Sequence, residues 1–135
     1  MGDGSEPMED DEYLYRRILL QYFNPSQGSE PSPKAFRPRK HDETGLSVFR
    51  AKYVTPEQVA QNDRGKRYYV ARLRAGDLRD NGIKVVPRIE GHEPGHAELP
   101  DLTYDNRSTD VGEEAQQLLA RRLCLEVLGP FPRQA

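Results

Sequence analysis

Histidines, carboxylates and arginines cluster at short spacings in this chain, and the most conspicuous cluster is His92-Glu93-Pro94-Gly95-His96, a literal H-E-x-x-H. In zinc proteases that spacing sets two imidazoles one helical turn apart on a metal while the glutamate activates water. The chemistry requires a helix, and Pro94 and Gly95 oppose one. A proline inside a helix costs about 3 kcal/mol and a glycine about 1 relative to alanine. The preceding IKVVPRIEG reads as a strand, so the motif falls on a turn between strands and the protease is excluded. His92 and His96 with His41 or a carboxylate would form at most a loop metal site. No second ligand pair stands at metal spacing, so neither a metal nor a cofactor is expected.

Other constellations have chemistry of their own. His96 and Glu98 alternate onto one face of a short strand. The segment PKAFRPRKH carries Lys34, Arg37, Arg39, Lys40 and His41 around Phe36. GLSVFR offers Ser47 and Arg50, and RYYVAR offers Tyr68, Tyr69 and Arg72. One enzymatic reading is metal-independent RNA cleavage, with His96 and Glu98 as acid and base and Arg37 or Arg50 stabilising charge on phosphorus. A second is ADP-ribosyl transfer from NAD, with Arg37 and Ser47 placing the dinucleotide, Tyr69 stacking and Glu98 orienting the ribose. There is no G-x-G-x-x-G and no G-x-x-x-x-G-K, which excludes a Rossmann or P-loop phosphate cradle.

Each residue also has a plainer role. Arg50 and Lys52 suit the wet face of an edge strand, where charge discourages edge pairing. Tyrosines suit half-buried strands, and Glu98 suits a surface. His96 is the least plain, because Gly95 before it lets the backbone approach something closely. The binding set is therefore Arg37, Arg39, Lys40, Ser47 and Tyr69, and the conditional catalytic set is His96, Glu98 and Arg50.

The 135 residues suit one domain. Apolar residues make up 35%, low for a globular chain, and 11 prolines and 11 glycines with 31% charged residues point to loops. No stretch approaches the ~18 apolar residues of a membrane span, and the acidic N-terminus lacks a signal's apolar core. Cys124 is the single cysteine, so no intrachain disulfide forms, and Asn106-Arg-Ser is a glycosylation sequon by pattern only. A reducing cytoplasm is the expected location. Residues 1–12 hold six carboxylates and no cation, leaving 20 basic and 16 acidic side chains elsewhere. Such an acidic block is expected to be a disordered tail. The mildly basic body falls short of a dedicated nucleic-acid binder, so the basic loop suits an acidic partner protein at least as well.

The elements that must position these groups follow from periodicity. EYLYRRILLQYF reads as an amphipathic helix, with Leu14, Ile18 and Tyr22 at i, i+4, i+8 and Asn24-Pro25 as its stop. Residues 24–34 are a Pro/Ser/Gly-rich loop. GLSVFRAKY reads as a strand with Ser47, Phe49, Ala51 and Tyr53 on one face and Leu46, Val48, Arg50 and Lys52 on the other. TPEQVAQND starts a helix, with Thr55 as N-cap, Pro56 in the first turn and Gln58 completing a capping box. RYYVARL is a strand, AGDLRDNG a short helix ended by Gly82, and IKVVPRI a strand whose Pro87 marks an edge or end. GHAELP is a fourth strand. EEAQQLLARRLCLEVL reads as a helix capped by Asp110 and Glu113 and ended at Gly129-Pro130. The expected fold is a single α+β domain over residues 13–133, with a small mixed sheet of about four strands packed with an N-terminal and a C-terminal helix.

The ordered pieces AFRP (35–38), GLSVFRA (45–51), YYVARLRAGDLRDNGIKVVPR (68–88) and PGHAELP (94–100) resemble a group of small uncharacterised bacterial proteins over residues 12–104. The resemblance implies a bacterial origin and no mechanism. With the chain's size, it points to a cytosolic accessory or interaction module beside a larger partner, in a defence or mobile-element operon. The alternative is a toxin-like enzyme acting on RNA or NAD.

Overall fold

A computed structural model describes residues 4–88 and 95–132. The chain is a mixed α+β domain around one antiparallel sheet of six strands, in the order β4-β5-β2-β1-β3-β6. The strands are β1 (Tyr13–Leu19), β2 (Leu46–Arg50), β3 (Tyr68–Arg74), β4 (Val86–Pro87), β5 (His96–Leu99) and β6 (Glu126–Phe131). The helices are short: α1 (Pro56–Ala60), α2 (Ala75–Asp80) and α3 (Asp110–Leu118), the last running into a wide π turn over Leu119–Leu123. Among the described residues no helix is long and apolar enough to cross a membrane.

Two expectations of secondary structure are corrected, each a strand that was expected as helix. The N-terminal segment expected as a helix is β1, paired with β3 along its whole length from Tyr13↔Arg74 to Leu19↔Tyr68. Leu14 and Ile18, four apart, share a face in a strand as well as in a helix, because four is a multiple of the strand period. The residue between them on that face is Arg16, which is buried, and its charge disguised the alternation. The C-terminal helix continues through the π turn only to Leu123, and the end of the stretch expected as helix, from Glu126, becomes β6. There the outer edge of β3 offers unpaired backbone groups, and Glu126, Val127 and Leu128 pair with Arg72, Ala71 and Val70. The cap of α3 is Thr109, whose hydroxyl accepts the Gly112 N–H, with Asp110 the first helical residue. These two strands raise the sheet from the expected four strands to six.

Elsewhere local chemistry acts as read. Thr55 and Gln58 form the full capping box on α1. α2 is followed by Gly82 at φ +75°, and the short β4 with Pro87 lies at the sheet edge. In β2, Leu46, Val48 and Arg50 are buried while Ser47 and Phe49 are half-buried on the opposite face.

The core fills the first of these faces. Leu14, Ile18, Leu46, Val48, Leu73 and Leu99 pack against Leu78 of α2, Phe36, and Leu119 and Leu123 of the π turn. On the other face, α1 covers one end of the sheet through Val59 and Ala60 against Val70 and Phe131. Among the described residues no other helix packs on that face.

Residues 4–12, expected as a free acidic tail, lie against the domain. Met8 is buried in the core, and the carbonyls of Asp10 and Glu12 accept the N–H groups of Gly76 and Ala75 at the start of α2. The reason is Arg50. Its side chain is fully buried, and Glu12 grips it bidentately, Nε to Oε1 at 2.5 Å and Nη2 to Oε2 at 3.0 Å. The carbonyls of Gly4 and Glu6 take Nη1 at 3.0 and 2.8 Å. A buried guanidinium left alone would be prohibitive, so the acidic segment is ordered by the charge it neutralises. The pairing raises Arg50 above its usual range. Alongside, Glu6 accepts the Tyr53 hydroxyl and pairs with Lys52 at 3.0 Å.

Glu12→Gln should therefore cost about 3 kcal/mol in urea unfolding, because it leaves Arg50 buried and uncompensated, while exposed Asp11→Asn stays within about 0.5 kcal/mol. The Tyr53 hydroxyl, helped by Lys52, lowers Glu6 from the ordinary 4.5 to about 2. A depressed carboxylate stabilises the fold above its unfolded value and loses that contribution as pH falls through the folded one. Thermal midpoints should thus drop between pH 4.5 and 2, and drop less in Glu6→Gln.

Candidate functional site

The open face of the sheet contains a fork. β1 and β2 pair only at Leu14↔Arg50 and Tyr15↔Phe49 and then part, although β1 continues for four more residues. Backbone groups alternate sides along a strand. Phe49 is paired to β1 and the Arg50 N–H points to Gly95 beside β5, so the Ser47 carbonyl faces the gap where its partner strand has left. Arg16 fills that gap. Its Nη1 donates to the Ser47 carbonyl at 2.9 Å and its Nε to the Ala35 carbonyl at 3.1 Å. One side chain thus replaces the missing ladder and ties β2 to the turn at Pro33–Phe36.

A cleft of about 560 Å³ opens over the fork. Arg16, Arg17, Arg39 and His41 line it together with Ser47 and Phe49, and Tyr53, Val54, Gln58, Val59 and Gln61 close the far side. Arg17 is exposed and lies over the Tyr68 ring, 4.6 Å from its centroid. Arg39 reaches the rim from a turn held by the Asp42 carboxylate, which accepts the Arg39 N–H at 2.7 Å. Burial pulls Arg16 down to about 10, with Arg39 and Arg17 adding to the effect and Asp42 opposing it. Arg16 is still a cation at neutral pH, and both its hydrogen-bond partners are carbonyls that carry no net charge. Three arginines against one buried carboxylate leave the cleft positive, and concave walls focus such a field.

The structure brings together part of what the residue types suggested. Ser47 Oγ and His96 Nε2 are 2.7 Å apart, and the His96 ring lies beside Phe49 with centroids 5.3 Å apart. Of the expected binding set, Ser47 and Arg39 line the cleft. Glu98 shares the face with His96 but is engaged elsewhere, taking Arg88 at 2.9 Å and the Thr44 hydroxyl at 2.9 Å. Arg50 is on the opposite face, inside the core, and cannot meet a substrate held by His96. Tyr69 is also on the core side, edge-on to Phe23 at 4.9 Å. Arg37 donates to Ser108 at 2.9 Å and borders a smaller cavity of about 90 Å³ beside the cleft. Lys40 is exposed on the same loop.

Other chemistry is narrowed as well. His96 begins a strand, so it lacks the helical placement that zinc-protease chemistry needs, and His92 and Glu93 lie outside the described residues. Among the described residues no cluster of His, Cys, Asp or Glu could hold a metal ion. Burial lifts the Cys124 thiol to about 11, which keeps it from acting as a thiolate at neutral pH.

Arg16, Arg17, Tyr53 and Gln58 were not singled out from the sequence. The first two fall in EYLYRRILLQYF, the segment expected as a helix that is instead a strand. Reading LYRRI as alternating Leu14-Arg16-Ile18 would have put a charge on the buried face and flagged it. Gly95 fulfils the close approach expected of it. At φ +95° a Cβ there would sit 2.7 Å from Cβ of Tyr53. Compared with known proteins, the chain matches no family model, no curated protein and no solved structure.

Gly95→Ala adds a backbone conformation that side chains resist to a contact with no room. It should lower stability by about 2 kcal/mol or more in chemical denaturation. It should also push Tyr53 away from Glu6, visible as a rise in the Glu6 titration midpoint by NMR.

Proposed function

We propose that this chain is a non-enzymatic recognition module that holds an anionic group in the cleft at the β1–β2 fork, working beside a larger partner that carries out any chemistry. The observation that carries the reading is the convergence of Arg16, Arg17 and Arg39 on one cavity of about 560 Å³. Arg16 is placed there by backbone contacts and not by a carboxylate. A guanidinium already oriented and partly desolvated loses little freedom when an anion arrives, and its planar fork matches phosphate or carboxylate oxygens. The bacterial setting implied by the resemblance, in a defence or mobile-element operon, belongs to this proposal.

The Ser47–His96 contact favours a second reading, metal-independent RNA cleavage with His96 as the proton carrier. Against it, Glu98 is tied to Arg88 and Thr44, and Arg50 is remote from the cleft.

Inorganic pyrophosphate titrated into the 15N-labelled chain should shift the amides of Arg39, Ser47 and Phe49. The double substitution Arg17→Glu, Arg39→Glu should abolish the response, and His96→Ala should change the affinity less than about threefold. Absence of a response in the wild type, or an equal response in the double variant, would overturn the module reading. Cleavage of RNA by the purified chain that disappears in His96→Ala would replace it with the enzymatic one.

A further inference from the structure

The cleft is polar at one end and apolar at the other, and that division points to its ligand. Ser47 and Phe49 are successive residues of β2 on the open face, about 7 Å apart. Around Ser47 gather the cations: Arg16 touches its carbonyl, and Arg17 is the β1 residue that the β1–β2 register, continued, would set opposite Ser47. Around Phe49 the wall changes character. Val54 and Val59 belong to the apolar cluster that includes Phe49, and the Gln58 and Gln61 amides stand at its border. The Gln58 Oε1 already accepts the Thr55 N–H at 2.8 Å, so this side chain faces a ligand as an N–H donor.

From this geometry we infer that the anion is the phosphate of a nucleoside phosphate, with its base lying against Phe49 and the amides of α1. This rests on the anion-binding reading and names its ligand. A phosphate at Arg16, Arg17 and Arg39 would receive charge-assisted hydrogen bonds. A flat ring held a few ångströms away would gain stacking and apolar contact, and its acceptor atoms would meet the Gln58 N–H groups. A bare inorganic anion or an isolated carboxylate uses only the cationic end. The volume of about 560 Å³ lies inside the roughly 300–1,000 Å³ typical of small-molecule sites. The same chemistry is presented by a free nucleotide and by the 5′-phosphorylated end of an RNA strand.

Isothermal titration of the full chain with AMP, ribose 5-phosphate, pyrophosphate and short oligoribonucleotides with and without a 5′-phosphate separates the cases. AMP should bind at least tenfold more tightly than ribose 5-phosphate. Phe49→Leu should bring AMP down to the ribose 5-phosphate level. Arg39→Ala should weaken both at least tenfold, and because Arg39 is exposed this variant reports even where Phe49→Leu loosens the fold. Tighter binding of the 5′-phosphorylated oligonucleotide than of AMP, with loss when the phosphate is removed, would support the inference with an RNA end as the source. Equal affinity for AMP and ribose 5-phosphate, or tighter binding of pyrophosphate than of AMP, would overturn it and leave the anion-binding reading intact. No binding by any anion would overturn both.

Discussion

The Arg16 guanidinium in the fork between β1 and β2 is the constraint on which the open face depends. A sheet whose central strands separate after two paired residues exposes backbone carbonyls that must find donors. Arg16 supplies them from a side chain, bonding the Ser47 and Ala35 carbonyls at once. The fork can then remain open without the strands closing on each other or the Pro33–Phe36 turn drifting away. The cavity is the space this arrangement leaves, and the cation that holds it open also lines it. Stability of the sheet and charge of the cleft therefore rest on the same group.

A second buried arginine is used in the opposite way. Arg50 is enclosed by the Glu12 carboxylate and two carbonyls of the N-terminal segment, so its charge is spent inside the protein. Arg16 has no carboxylate partner among the described residues, and its charge is felt in the cleft. The two residues are the same type on the same face of adjoining strands. What separates them is whether an acidic segment of the chain reaches the guanidinium. The acidic residues at positions 6 and 12 thus belong to the domain's electrostatics and do not act only as a solvated appendage.

Legibility followed the range of the forces involved. The α1 capping box, the Gly82 stop after α2, the edge position of Pro87 and the two faces of β2 depend on neighbours within a few residues, and all were readable. β1 was misread because Leu14 and Ile18 satisfy both periods, and only pairing with β3 removes the ambiguity. β6 was misread because nothing in LCLEVLGPF states that the edge of β3 lies open beside it. Ser47 and Arg39, chosen by residue type, line the cleft. Arg16 and Arg17 were hidden by the helix assignment, and Tyr69 and Arg50, chosen by residue type, lie on the core side of the sheet.

By itself the sequence determined an α+β domain, the capping box of α1, the in-and-out pattern of β2 and the close approach at Gly95. These are local steric and hydrogen-bonding preferences that act over a turn or two of chain. The tertiary structure alone decided that the first segment is a strand, that the sheet has six strands, and that one buried arginine is neutralised while the other faces a cavity. Those outcomes depend on which distant backbone edges and charges are brought together, and the free energy of pairing them outweighs the small local propensities that a sequence displays.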